Sequence, residues 1–147
     1  MTRVDVSLME LKDLDGGALL YQTTFNAEPW NEGWELDTAR ERLQAILAAP
    51  NGLGVIATSD DTPLAFALGY LEPWVLGQHF QLKEMCTAPD QQRRGIGSRV
   101  LEFLLQALKE RGVAQVFCDT RTGVPAEAFF RHAGFRTLNV VTLGKRL

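Results

Sequence analysis

Cysteine is scarce in this 147-residue chain: only Cys86 and Cys118 occur. Each lies inside an apolar, strand-like run and reads as a reduced, buried thiol acting as a small hydrophobe. The chain has only two histidines, and the cysteines have neither the spacing nor the His partners of a zinc site, so no metal is expected. An excess of charge of one sign is also missing. Fifteen Lys and Arg against 18 Asp and Glu leave a formal net charge of −3, and a pI of about 5.4 argues against a general nucleic-acid binder. No apolar run approaches the roughly 20 residues that span a bilayer. The start, Met1-Thr2-Arg3-Val4-Asp5, lacks the apolar core and cleavage site of a signal peptide. A cytoplasmic protein free of membranes is the simplest expectation. No internal repeat, linker or low-complexity stretch divides the chain, so residues 1–147 are expected to form one domain with its own core.

What is present has ordinary globular proportions, with 46% apolar and 22% charged residues. Loose alternation from Val4 to Leu11 reads as a first strand. Asp13 to Asn26 reads as a helix, and Asp37 can cap a second over Thr38 to Ala49, with Ala39, Leu43, Ile46 and Leu47 on one face. Gly54 to Thr58 and Leu64 to Leu71 are strands joined by the turn signal Ser59-Asp60-Asp61-Thr62-Pro63. The second of them is apolar on both faces and belongs at the sheet centre. Glu72 to Gln78 reads as a loop, and Phe80 to Thr87 as the fourth strand. Arg99 to Arg111 is strongly helical, Val113 to Asp119 is a strand, Pro125 to His132 is a short helix, and Val140 to Leu143 sits in a last strand. A hairpin meander followed by a β-α-β unit implies an α/β (α+β) fold, with a mixed sheet and helices on both faces.

The stretch Pro89-Asp90-Gln91-Gln92-Arg93-Arg94-Gly95-Ile96-Gly97-Ser98 lies between the fourth strand and the strong helix. It places two glycines and a row of free N–H groups at a helix start. That end carries partial positive charge and unpaired donors, so it suits phosphate. Arg93 and Arg94 beside it suit phosphate oxygens. The dinucleotide fingerprint G-x-G-x-x-G fails because residue 100 is Val, and no Gly-Lys-Ser/Thr follows as in a Walker loop.

Gln92-Arg93-Arg94-Gly95-Ile96-Gly97 resembles the Q/R-x-x-G-x-G/A signature of the GNAT N-acetyltransferase superfamily. Glu84-Met85-Cys86-Thr87-Ala88-Pro89 is similar to the strand end that precedes it. Ala126 to Phe135, with its Phe129-Phe130-Arg131-His132-Ala133-Gly134-Phe135, resembles the family's short helix running into Gly-Phe. The resemblance covers Leu64 to Phe135 well and the N-terminal third loosely. It implies a mixed sheet of about six to seven strands, its fourth and fifth strands splayed at a bulge. It also implies acetyl-CoA as co-substrate, a primary amine as acceptor, and direct transfer in a ternary complex without an acyl-enzyme. The CoA pyrophosphate would sit on the N–H groups of Arg93, Arg94, Gly95, Ile96, Gly97 and Ser98, with Gln92 also in the implied CoA site. Pantetheine would pair with the backbone of Met85, Cys86 and Thr87 like an added strand. Glycines at 95 and 97 would let the backbone approach the phosphates.

An alkyl ammonium must lose its proton before it can attack a thioester, so a base is needed. Glu84 falls where many members of the family carry a carboxylate, and Asp119 at the end of the next strand is the second candidate. The bland alternatives are a salt-bridged strand acid for Glu84, and a turn cap or a partner of Arg121 for Asp119. His79 and His132 read as surface groups. The family's frequent Tyr on the short helix is replaced by Phe130, which has no proton to give the departing CoA thiolate. The frequent Asn before that helix is replaced by Val124-Pro125. These departures leave a second reading open, a non-catalytic acyl-CoA-binding or sensing module on the same fold. In the family the first two helices and the loop after the third strand shape the acceptor pocket. Here they carry Glu28, Trp30, Glu32, Trp34, Glu35, Asp37, Glu72 and Trp74. Glu28, Trp30, Trp34 and Trp74 are the candidate acceptor contacts, because acids and aromatics suit a cationic amine. The competing reading is that the tryptophans pack the core. A homodimer paired through the final strand is also open.

Overall fold

The computed structural model describes residues 3–147, so Met1 and Thr2 of the N-terminal reading lie outside the described residues. Five strands form one sheet in sequence order: β1 (Asp5–Leu8), β2 (Gly52–Ser59), β3 (Thr62–Trp74), β4 (Gly77–Thr87) and β5 (Val113–Cys118). The first three pairings are antiparallel and β4–β5 is parallel, which gives the expected mixed sheet. Helices α1 (Leu14–Asn26) and α2 (Leu36–Leu47) cover one face; α3 (Ile96–Glu110) and α4 (Pro125–His132) cover the other.

Alternation along the central strands builds the two cores. Ile56, Phe66 and Leu68 point to the α1–α2 side with Leu14, Ala18, Tyr21 and Leu43. Val55, Ala57, Ala65 and Ala67 point to the α3 side, where Val100, Leu101, Leu104 and Leu108 meet them. The α3 stripe recurs every three to four residues, so one helix face is fully dry while Phe103 is left at the surface. The small alanines on β2 and β3 leave room for that bulky stripe.

Several elements differ from the sequence reading. The segment read as a loop, Glu72 to Gln78, is mostly strand: β3 runs through Trp74 and β4 restarts at Gly77, a hairpin with a two-residue turn. The N-cap of α2 is Glu35, and Asp37 sits in its first turn, where a carboxylate favours the helix dipole instead of capping. The last strand, Val140 to Leu143, does not form, and the sheet has five strands where six to seven were expected. Val140, Val141 and Leu143 are 75%, 79% and 88% exposed. Apolar, β-branched residues make a strand only where a neighbouring edge and a covering face receive them, and this segment has neither. The edges of the described sheet are therefore β1 and β5.

Candidate active site

The site begins with a mismatch between β4 and its neighbours. The β3–β4 register shifts between Leu68, opposite Glu84, and Gly69, opposite Leu82, so Lys83 is an extra residue, a bulge. On the other side, β5 follows β4 only as far as Leu82, which pairs with Cys118. The bulge and the end of the β4–β5 ladder coincide, and the two strands splay from that point. Beyond it β4 keeps its β3 partner through Thr87 but has no strand on the β5 side. Met85, Cys86 and Thr87 thus lie on a half-paired strand. The Gln92 amide already donates to the Thr87 carbonyl at 3.1 Å, tying the turn to the strand end.

The glycine turn leads directly into α3. Gly95 is its N-cap at φ +79°, a left-handed conformation that glycine adopts without strain, and Arg93 shares it at φ +67°. No side chain caps the helix and its first turn carries no acid. Arg99 N–H is the first to find a backbone acceptor across the turn, the Gly95 carbonyl at 3.1 Å. The N–H groups of Ile96, Gly97 and Ser98 are the ordinary orphans of a helix start, with exposed Arg93 and Arg94 beside them. This arrangement fits a diphosphate. Gly97 has a further role beyond the expected approach to a ligand. A Cβ there would stand 3.1 Å from Thr87 Oγ1 and 3.6 Å from the Phe129 ring, so glycine is what lets α3, α4 and β4 close together.

The splay opens into a cavity of about 480 Å³. Glu84, Asp119, Trp30, Met85 and Phe130 all line it, so five of the sequence-derived candidates converge there. Glu84 is the most constrained. Its side chain is 13% exposed, and its Oε1 accepts from Arg42 on α2, with both Nε and Nη2 at 3.0 Å. The phenol of Tyr21, itself almost fully buried, is a second polar neighbour of the carboxylate. Burial holds the Glu84 carboxyl above the usual carboxylate range, and the Arg42 charge and hydrogen bond, with a smaller contribution from the neighbouring Tyr21, only partly oppose this. The same carboxylate, after burial, pushes the Tyr21 phenol up, so Tyr21 stays a donor. Asp119 follows β5, is exposed, and makes no ion pair among the described residues.

Across the mouth, Arg121 reaches from the β5–α4 loop to the α1–α2 loop. Its guanidinium lies 5.4 Å from the Trp30 ring centre and 3.8 Å from Glu32 Oε2. Arg121 therefore pairs with Glu32, not with Asp119. Phe130 is 9% exposed and wedged between Phe129 and Phe135, with ring centres 5.2 and 5.3 Å away. Helix α4 is held at its start by Glu127, which accepts the Gly123 N–H at 2.7 Å and pairs with Arg131. Cys86 is buried as expected, but Cys118 is half-buried and lines the cavity, and its thiol is pushed up to about 11, chiefly by burial.

The other candidates lie elsewhere. Trp34 packs edge-on against Tyr21, its indole N–H donates to Glu32 Oε1 at 2.8 Å, and its backbone is clamped by Asn26. It lines a second, wide-open hollow of about 450 Å³ on α2, which holds no reactive group apart from Glu41 and Arg42. Trp74 stacks on His79 at the β3–β4 hairpin tip and is 61% exposed, and neither it nor Glu28 lines the splay cavity. His79 is less of a surface group than expected, because it also meets Phe117 at 5.0 Å. Sequence reasoning missed Tyr21 and Arg42. Tyr21 sits among the apolar residues of α1 and Arg42 among the charged ones of α2, and neither pattern marks them out. No group of three or more potential metal ligands occurs among the described residues.

Comparison with known proteins matches this geometry. The profile of the acetyltransferase (GNAT) family fits residues 19–135. The chain belongs to that family. It is an acyltransferase whose co-substrate is acetyl-CoA, and the open α3 start and half-paired β4 are chemically suited to that molecule. The [ribosomal protein bS18]-alanine N-acetyltransferase of Salmonella typhimurium is 28% identical over 136 residues, covering 92% of this chain and 82% of the relative. A possible acetyltransferase from Clostridium difficile 630 superposes with a TM-score of 0.82 at 13% identity, over 98% and 97% of the two chains. The aminoglycoside N-acetyltransferase AAC(6')-Iy, solved with CoA, superposes with a TM-score of 0.77 at 18% identity, over 99% and 96%. No helix among the described residues is long and apolar enough to cross a membrane.

Proposed function

We propose that this enzyme acetylates a primary amine of a cationic small molecule or peptide by direct attack on acetyl-CoA in a ternary complex. Glu84 accepts the proton that the ammonium form must lose. The observation that carries this reading is a buried carboxylate, raised above its ordinary range, lining the cavity where β4 and β5 part. An alkyl ammonium titrates near 10, so a carboxyl pushed upward is better matched to take its proton than an ordinary one. Arg42 fixes its orientation, which a base needs as much as it needs basicity. The half-paired strand at Met85–Thr87 offers pantetheine a backbone edge, and the α3 start offers the diphosphate its N–H groups. The amine then attacks the thioester carbon, the C–S bond breaks, the thiolate leaves with the bonding pair, and the second amine proton passes to the thiolate or to solvent as the amide forms. A thiol of ordinary pKa, about 8.5, is a fair leaving group without a protein acid, which suits Phe130 at that wall.

Trp30, Glu32 and Asp119 give the acceptor side an acidic and aromatic character that favours a cation. One relative's name points to an alanine of a ribosomal protein and one structural neighbour's to aminoglycosides. Both are amines that bring positive charge. The test is release of free CoA across a panel containing an alanine-initiated peptide, an aminoglycoside, a polyamine and a neutral amine, with Glu84→Gln in parallel. Cationic amines are expected to release CoA well above hydrolysis, and the variant is expected to lose most of that rate. Release no faster than hydrolysis with every amine would sink the proposal.

A further inference from the structure

We propose that Arg121 is an internal stand-in for part of the acceptor. In the free enzyme its guanidinium occupies a cation seat formed by the Trp30 ring and the Glu32 carboxylate. A productive acceptor carries a second cationic group, besides its reacting amine, that takes this seat. The proposal rests on the acetyl-transfer reading above and names the acceptor class more narrowly.

Three observations support it. The seat is built before any ligand arrives: Trp30 lies against Phe25, with ring centres 5.5 Å apart, and Glu32 Oε1 is fixed by the Trp34 indole N–H at 2.8 Å. Glu32 thus offers its other oxygen, Oε2, outward, and Arg121 approaches that one. The seat also opens on the same cavity as Glu84, so one molecule can reach both. Finally, Arg121 is held loosely. Its contact to Glu32 is 3.8 Å, and the two side chains are 56% and 31% exposed. A pair this long and this wet contributes little, and the single cation–π contact adds only modestly. Arg42–Glu84 differs in kind, at 3.0 Å with the acid 13% exposed. One arginine is locked in place and the other is readily exchanged.

With Arg121 withdrawn, Glu32, Glu84 and Asp119 line one cavity. Arg42 is committed to Glu84, and Lys83, which also lines the cavity, makes no ion pair among the described residues, so the acids still outnumber the cations by one. That excess of negative charge needs a counter-charge from the ligand. A monoamine supplies its charge at Glu84 and leaves Arg121 in place, whereas an amine that also carries a guanidinium or second ammonium can displace it.

The test is calorimetric titration of the CoA-loaded enzyme with agmatine, which carries an amine and a guanidinium, and with butylamine, which carries the amine alone. Arg121→Gln is expected to bind agmatine about three- to tenfold more tightly than the parent, because the internal competitor is gone. Butylamine binding should be unchanged by the substitution. Adding Trp30→Ala to Arg121→Gln should abolish the gain. Equal or weaker agmatine binding by Arg121→Gln, an equal gain for butylamine, or no agmatine binding by either form overturns the proposal. Because the readout is binding, it stands apart from the CoA-release screen. A protein that binds as expected but transfers no acetyl group would refute the acetyl-transfer reading and leave the seat intact.

Discussion

At the proposed donor end the groups on offer are backbone: uncapped N–H groups of α3 and the free side of β4 beyond Leu82. At the acceptor end they are side chains drawn from five separate segments: Tyr21 on α1, Trp30 and Glu32 in the α1–α2 loop, Arg42 on α2, Glu84 on β4, and Asp119 with Arg121 after β5. A backbone site depends on a turn of the right shape, and almost any residue can carry it, provided the glycines stay. A side-chain site depends on particular residues meeting across the fold. Arg42 and Glu84 are 42 positions apart in sequence. On the proposed assignment, a substitution at the donor end matters through backbone shape, and one at the acceptor end through the side chain it removes.

The largest expected effect breaks the acceptor end alone. Glu84→Gln keeps the shape and an oxygen for Arg42 but cannot take a proton, so kcat should fall about 10²- to 10⁴-fold. Acetyl-CoA affinity should stay within error by calorimetry, since no donor group is touched. A variant with unchanged kcat would hand the role to Asp119 or to water. The opposite experiment breaks the donor end. Gly97→Val pushes a side chain against Thr87, where the Cβ alone already stands at 3.1 Å. It should raise KM for acetyl-CoA about tenfold, the loss of roughly one charge-assisted hydrogen bond. Affinity for the acceptor should change far less. Unchanged CoA affinity would remove this turn from donor binding.

This contrast also explains what could be read from the sequence. The order of strands and helices, the central place of β3 and the bounds of α4 (Pro125–His132) follow from local periodicity and turn chemistry. The glycine turn is equally local, since Gly95, Ile96 and Gly97 lie within one helical turn. Glu84 could be picked out because it falls where the family resemblance implies a carboxylate, and Asp119 because it is an acid at the end of a strand. Arg42 could not, because an arginine on the polar face of α2 looks like any solvated charge until β4 is laid beside it. Trp74 misled for a related reason. Its aromatic character was visible, but the β3–β4 hairpin carries it to the tip, where it stacks on His79 instead of facing the splay. The expected last strand failed because apolar residues at 140–143 say nothing about whether an edge receives them.

A subtler probe separates the base from its support. Arg42 lowers the Glu84 proton affinity that burial raises. Glu84 works as a base only when ionised, so activity should fall as pH drops through its raised pKa. Arg42→Gln removes the opposing charge. The acid limb of the kcat/KM profile should therefore move to higher pH, while the plateau rate is retained in larger part than in Glu84→Gln. An unmoved limb would mean that Arg42 acts only as packing, or that the limb belongs to another group.

The smallest effect is expected at the wall between the two ends. Phe130 is nearly buried between Phe129 and Phe135 yet lines the cavity. Phe130→Tyr adds one hydroxyl. Directed at the cavity, it can reach solvent or the departing thiolate, so it avoids the cost of a buried unpaired group. Because a thiolate leaves adequately unaided, the gain in kcat should be small, from none to a few-fold, and largest at high pH, where solvent protonates the thiolate least. Binding of either substrate should be unaffected. A large loss of kcat would mean that the aromatic packing of α4 against Phe135 matters more than any acid, and that this wall positions the thioester instead of protonating it.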